Sequence, residues 1–276
     1  MRTVFERFND VYQFSDELAK RPLNKVFKGE TRSSKKNDNW YGTRTWSEAE
    51  DLLRNGWAKN VEKIAASLEK YRSTIEVEKR QQELDTHGFA PCVAAAIQGH
   101  PMSMFNYSMV KTERKEKVLH ILYAQGAACY VSEDTILKWG TTVLKLVALL
   151  EANGVRVKMD ICPFASYSGS EYAGCLIGVK DYHTPLNIKK MSYPIAHTAA
   201  FRRHGFAWLE STPDLSSSSW TSGYGKSMRY ADKADADKFW AAVGVDTKNY
   251  IYIDTKAVEK AKNDPKVLLE QIWNEK

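Results

Sequence analysis

Between residues 117 and 161 the chain reads KVLHILYAQGAACYVSEDTILKWGTTVLKLVALLEANGVRVKMDI. Residues 118–123 are a short apolar run of strand length. A polar loop, 124–132, follows, and apolar positions then recur at helical spacing from Glu133 to Asn153. Gly154 stops the helix, and residues 155–161 read as a second strand. Strand, helix, glycine stop and strand in this order predict a βαβ unit on a parallel sheet. In such sheets ligands sit beyond the carboxyl ends of the strands, here at 124–132. That loop holds no Asp, no His and no phosphate-binding glycine pattern.

Residues 1–38 read as peripheral, with a short helix over 11–19 and a polar stretch over 28–39. Ser47 followed by Glu50 predicts a capping box, and Asn55-Gly56 a stop. Residues 57–84 then read as a longer amphipathic helix, with Val61, Ile64, Ala65, Leu68 and Tyr71 on one face. The segment from His87 to Pro91 breaks it, and a compact link leads to the βαβ unit. Beyond that unit, the pattern predicts a strand over 175–181 and a helical stretch opened by Asn187 and broken at Pro194. Helix continues over 195–203, and 206–209 reads as a buried strand. Residues 215–228 (LSSSSWTSGYGKSM) form a flexible loop. A helix over 231–243, a strand over 250–253 and helices over 255–262 and 265–273 complete the chain. Asp264 is the N-cap of the last, and Pro265 suits its first turn. The class is therefore α/β: a Rossmann-like, mostly parallel sheet flanked by helices over 111–276. An α-helical amino-terminal extension, 1–110, packs on this core.

Composition narrows the function classes. A net charge of +6 permits an acidic partner without demanding one. Eight Trp and fourteen Tyr exceed the needs of a core. Surplus aromatic rings stack on unpaired bases or anchor protein interfaces. Cys92, Cys129, Cys162 and Cys175 form no C-x-x-C pair and have no His at ligand spacing, which argues against a zinc site or disulfide scaffold. Reduced thiols in a cytoplasmic protein fit this pattern. The charged start MRTVFERFND predicts no signal peptide, and the apolar stretch 141–150, interrupted by Lys145, is too short to span a bilayer.

The strand VLHILYA, the helix ending LLEANG and the strand RVKMDI resemble the von Willebrand factor A domain. Other motifs resemble a family of phage and prophage proteins: Trp40-Tyr41-Gly42, Ala49–Leu52–Gly56, Gly99–Pro101–Ser103-Met104, and Pro194–His197–Arg202-Arg203–Phe206. The resemblance implies a von Willebrand A-like core and, for phage-encoded protein, the host cytoplasm. Von Willebrand A domains commonly hold a divalent metal through Asp-x-Ser-x-Ser after the first strand. Here that stretch is Tyr123-Ala124-Gln125-Gly126-Ala127, with no carboxylate or hydroxyl pair for a hard cation. The expectation is a core without metal or cofactor.

Candidate chemistry is sparse. Gly223-Tyr224-Gly225-Lys226-Ser227 fails the phosphate-loop pattern, because Trp220 stands where its first Gly belongs. The loop still combines Trp220, Tyr224, Lys226 and Arg229 as a candidate binding surface. His197 and His204 lie about two helical turns apart beside Arg202 and Arg203, an arrangement suited to phosphate or to core roles. His120 reads as a satisfied core residue of the first strand. Catalysis has little support, and the chain reads as a non-enzyme. The leading expectation is a phage-type protein binding single-stranded DNA, accessory to transcription or replication. Arg202, Arg203, Lys226 and Arg229 would contact phosphates, with Trp220 and Tyr224 as stacking platforms. The alternative is a metal-free von Willebrand A-like interaction module for a protein partner such as a polymerase. An enzyme with an unrecognised site stands third.

Overall fold

The structure, a computed structural model, describes residues 2–24, 31–33, 38–59, 61–62, 64, 81–108, 117–163, 165–168, 171–213, 215, 240–241, 244–245 and 250–274. Two compact units emerge. Met1–Arg72 and Lys117–Lys276 form one, and Ser73–Glu116 the other. This replaces the division at residue 110, and the reason lies at the amino terminus. Arg2–Phe8 is not peripheral but a strand, β1, of the main sheet.

In the first unit β1 leads to α1 (Val11–Lys20), α2 (Asp38–Tyr41) and α3 (Trp46–Asn55). The βαβ unit follows as β2 (Lys117–Ala124), α4 (Glu133–Ala152) and β3 (Val155–Cys162). Then come β4 (Ala165–Ser168) and β5 (Glu171–Lys180). The helix α5 (Ile188–Ala196) is followed by a π-helical turn (Ala200–Gly205) and α6 (Phe206–Ser211). β6 (Tyr250–Asp254), α7 (Thr255–Lys260) and α8 (Pro265–Asn274) end the unit. The sheet order is β1-β5-β3-β2-β6, with β4 paired to β5. β1·β5, β2·β3 and β2·β6 are parallel, whereas β3·β5 is antiparallel. The result is a mixed α/β unit with a mostly parallel sheet flanked by helices.

Alternation along the strands splits their side chains between two faces. Ile121 and Tyr123, Val157 and Met159, Cys175 and Ile177, and Ile251 and Ile253 join one large core with residues from α1, α4, α5, α6, α7 and α8. At Gly140 of α4 a Cβ would stand 2.3 Å from the Cα of Ala196, so the missing side chain sets the approach of α4 to α5. The second face carries a smaller cluster: Leu122, Cys162, Leu176, Trp240 and Val245, packed by Phe5, Tyr250 and Tyr252.

Local signals account for most boundaries. Ser132 caps α4 through Thr135 N–H, with Glu133 and Asp134 in the positive first turn. The cap of α3 is Thr45, not Ser47. Thr45 accepts from Glu48 N–H at 3.1 Å, and Glu48 accepts from Arg44 N–H at 2.7 Å. Glu50 is thereby released from capping and turns inward. The predicted strand over 206–209 is helix α6, because the π-helical turn carries the chain directly into it. Most of the long helix read over 57–84 lies outside the described residues, but its end, Gln81–Asp85, is a strand.

The second unit pairs Gln81–Asp85 antiparallel with Met104–Ser108, and Ala90–Pro91 with the same partner. A short helix, Val93–Ile97, lies between. Gly88 permits the close strand approach, since a Cβ there would sit 2.1 Å from the Phe105 carbonyl oxygen.

Candidate functional site

The carboxyl ends of β2 and β6, where a doubly wound sheet usually takes its ligand, are filled by the protein itself. Gln125 donates from Nε2 to the carbonyls of Pro194 and Ile195, at 2.6 and 2.9 Å. It thus satisfies two of the last carbonyls of α5, which have no partner within the helix. The space beside it, lined by Tyr123, Ile136, Trp139, His197 and Thr255, amounts to about 10 Å³. That is the room of roughly one water molecule. Burial pushes the Tyr123 phenol up, and the nearby Asp254 charge pushes it further. Among the described residues no group of three or more His, Cys, Asp or Glu could hold a metal.

Arg202 and Arg203 stand inside the protein, at 1% and 0% exposure. Arg202 donates to the carbonyls of Trp40 (2.9 Å) and Val131 (2.7 Å) and lies 4.7 Å over the Trp40 ring. Arg203 donates to Thr43 Oγ1 and O, both at 2.6 Å, and to the Thr31 carbonyl at 3.1 Å, with its guanidinium 4.5 Å over Tyr41. Burial draws the Arg202 pKa down. This corrects their expected role as phosphate contacts. The terminal nitrogens of both guanidinium groups donate to backbone carbonyls inside the protein, and Arg203 Nε to the Thr43 hydroxyl. Trp40-Tyr41-Gly42 and the Arg-Arg segment, far apart in sequence, are therefore halves of one buried contact. Gly42 completes it with φ +76°, and a Cβ there would press on Thr198.

The two histidines of the same segment are equally internal. His204 Nδ1 meets the Tyr193 hydroxyl at 2.9 Å, and Nε2 meets Glu50 Oε1 at 3.0 Å. Burial raises the Glu50 pKa, but the hydrogen bond and charge of His204, with the Ser15 hydrogen bond and the Arg54 charge, together hold the carboxyl below its usual value. His197 packs edge-on to Trp57 and accepts from Ala199 N–H at 3.1 Å. Burial lowers it to about 4, so it is neutral at physiological pH. Trp220, Tyr224, Lys226 and Arg229 lie outside the described residues.

The open chemistry lies on the second face of the sheet. A cavity of about 460 Å³ is lined there by Arg7 of β1, Gly178 of β5, Lys158 and Asp160 of β3, Tyr250 of β6, and Thr184 of the loop after β5. Strand alternation puts Lys158 and Asp160 on this face, with the apolar Val157, Met159 and Ile161 on the other. The register between β3 and β5 shifts at Met159/Asp160, a bulge of the kind that re-aims a side chain. Asp160 Oδ2 accepts from His120 Nε2 at 2.8 Å, and the His120 ring stacks on Tyr250 at 3.8 Å between centroids. Among the described residues Arg7 and Lys158 make no ion pair. Other charges around the cavity are tied to the framework: Lys180 to Glu151 at 2.7 Å, Asp10 to the first N–H groups of α1, and Asp181, whose Oδ1 accepts from His183 N–H at 3.1 Å. Gly178 lets the chain close the cavity rim, since a Cβ there would meet the Asn9 carbonyl at 2.1 Å.

One family model matches residues 2–274. The chain belongs to the family described as domain of unknown function DUF7192. No curated protein and no solved structure matches it. The site of this DUF7192 chain therefore rests on its own geometry. Sequence reasoning passed over Arg7, Lys158, Asp160 and Tyr250, although the strict alternation VRVKMDI was a visible sign that β3 keeps one polar face. Among the described residues no helix is long and apolar enough to cross a membrane.

Proposed function

We propose that the protein binds single-stranded nucleic acid on the second face of its sheet, in a phage-type role accessory to transcription or replication. The observation that carries this reading is the cavity of about 460 Å³, which combines the cations Arg7 and Lys158 with the Tyr250 ring and the Asp160 carboxylate. Its volume falls in the usual range for ligand pockets, about 300–1,000 Å³. Cations beside aromatic rings on a sheet surface follow a backbone while its bases stack. The phage-type setting rests on the resemblance of Trp40-Tyr41-Gly42 and the Pro194–Phe206 motif to phage and prophage proteins. The strand succession β5-β3-β2-β6, which repeats the opening 3-2-1-4 order of doubly wound sheets, supports the finer assignment of a von Willebrand A-like core. The test is a fluorescence-anisotropy titration of labelled single-stranded and duplex DNA at low and moderate salt. Binding that favours the single strand and weakens steeply with salt is the expected result. No binding at low salt contradicts it.

A second reading, a protein-interaction module, is favoured by the unit Ser73–Glu116. Residues 86–103 contain no Asp, Glu, Lys or Arg. Phe89, Val93, Ile97 and Met102 are exposed there, Ile97 by 81%. A charge-free surface with several large apolar side chains is the composition of an interface centre. Val93→Ser with Ile97→Ser would abolish capture of a protein partner under this reading and leave nucleic-acid affinity unchanged.

A further inference from the structure

We infer that the cavity on the second sheet face selects guanine among the bases of a single strand, with Asp160 as the residue that reads it. This deepens the nucleic-acid reading and rests on it. Asp160 is 7% exposed and lines the cavity. Its Oδ2 is held by His120 Nε2, at 2.8 Å, while among the described residues Oδ1 has no hydrogen-bond partner. The His120 ring is itself fixed against Tyr250. An ionised carboxylate only accepts hydrogen bonds, and its two oxygens offer about four lone-pair sites. An acceptor oxygen held at the cavity wall in this way is open to donors from whatever enters.

The bases differ on this point. Guanine presents two adjacent donors on its pairing edge, the ring N1–H and the exocyclic amine, which match the two oxygens of one carboxylate. Cytosine and adenine each place an acceptor nitrogen beside their single amine. Thymine flanks its one N–H with two carbonyls, which repel the carboxylate. Single-strand readers hydrogen-bond bases on these edges while aromatic rings hold them in place. Tyr250 lines the same cavity as Asp160 and supplies an aromatic wall. Arg7 and Lys158, at the same cavity, meet the adjoining phosphates. The cations are indifferent to sequence, so the discrimination falls to Asp160.

The experiment uses the full chain and four labelled probes: a twelve-residue thymidine oligonucleotide, and the same oligonucleotide with one central guanine, inosine or cytosine. A matched polar contact to a base edge discriminates by about 1–3 kcal/mol. The guanine probe is thus expected to bind about tenfold more tightly than the thymidine probe, with inosine, which lacks the exocyclic amine, in between. Asp160→Asn keeps an acceptor for His120 but replaces one lone-pair oxygen with a donor amide, and it is expected to erase the guanine preference. Circular dichroism of the variant establishes that the fold is retained, and Asp160→Glu, which keeps the carboxylate, is expected to retain part of the preference. Equal affinity for all four probes, or a guanine preference that survives Asp160→Asn, overturns the inference while leaving single-strand binding in place. Failure of every probe to bind at low salt overturns the nucleic-acid reading as well.

Discussion

The two faces of one sheet follow different rules. His120 and Ile121 are neighbours on β2, yet Ile121 is fully buried beneath the helices, whereas His120 keeps 18% of its side chain exposed beside Asp160. The helix-covered face collects aliphatic side chains from all five strands of the main sheet order and from six of the helices. The second face is apolar around Leu122, Cys162 and Trp240 and polar around Arg7, Lys158, Asp160 and His120. Apolar burial is therefore concentrated on the first face, and the second is mixed. A parallel sheet covered on both sides reads as continuous apolar strands, whereas β3 alternates.

The sharpest way to break this comparison is Ile121→Ala. Truncating a fully packed side chain of the covered face is expected to cost about 4 kcal/mol in urea unfolding. A cost below about 1 kcal/mol would mean that this face is not the stabilising one.

Acid tests the same face through His197. Its pKa in the folded protein is about 4 against an ordinary 6.5, because burial refuses the proton. Between those values the unfolded chain binds a proton that the folded chain does not. Stability is therefore complete above pH 6.5 and falls as the pH drops toward 4, by about 3 kcal/mol over the window. His197→Gln is expected to flatten that slope, measured as unfolding free energy at several pH values. Glu50, held below its usual value, adds a further loss at lower pH that the variant keeps. An unchanged slope in His197→Gln would place the acid sensitivity elsewhere.

The smallest effect belongs to the second face. His120→Ala removes a partly exposed contact to Asp160 and is expected to cost about 1 kcal/mol or less. Its visible consequence is on ligand affinity, because Asp160 loses the partner that fixes it. A loss of several kcal/mol would show that His120 is a core residue, as the sequence alone reads it.

The legible part of the fold was the part with strong local periodicity. The strand, helix and strand read over 118–123, 133–153 and 155–161 are Lys117–Ala124, Glu133–Ala152 and Val155–Cys162. Ser132 and Gly154 supply the stop and start signals that make these boundaries local. Arg2–Phe8 was not legible, since its strand character comes from pairing with a segment about 170 residues away. The run FAWL at 206–209 fits strand and helix equally, and only the preceding π-helical turn decides it.

The site was legible in a different measure. Charge is ordinarily read as surface, so Arg202 and Arg203 pointed outward in sequence, while their donors in fact close on the carbonyls of Thr31, Trp40, Thr43 and Val131. No local pattern announces such long-range partners. Lys158 and Asp160 carried a sign that the sequence reading did not use, because polar residues at every second position of β3 cannot all enter an apolar core. What sequence could not supply is that Arg7 and Tyr250, from opposite ends of the chain, line the same cavity.

The most direct test of this account is the salt dependence of single-strand binding by the native protein and by the double variant Arg7→Ala/Lys158→Ala. Each phosphate contact on a single strand contributes about 0.7 to the slope of log affinity against log salt. The account predicts that the double variant folds as the native protein does, binds more weakly and loses about 1.4 from that slope. A slope and affinity equal to the native values would show that nucleic acid, if bound at all, does not use the second face of the sheet.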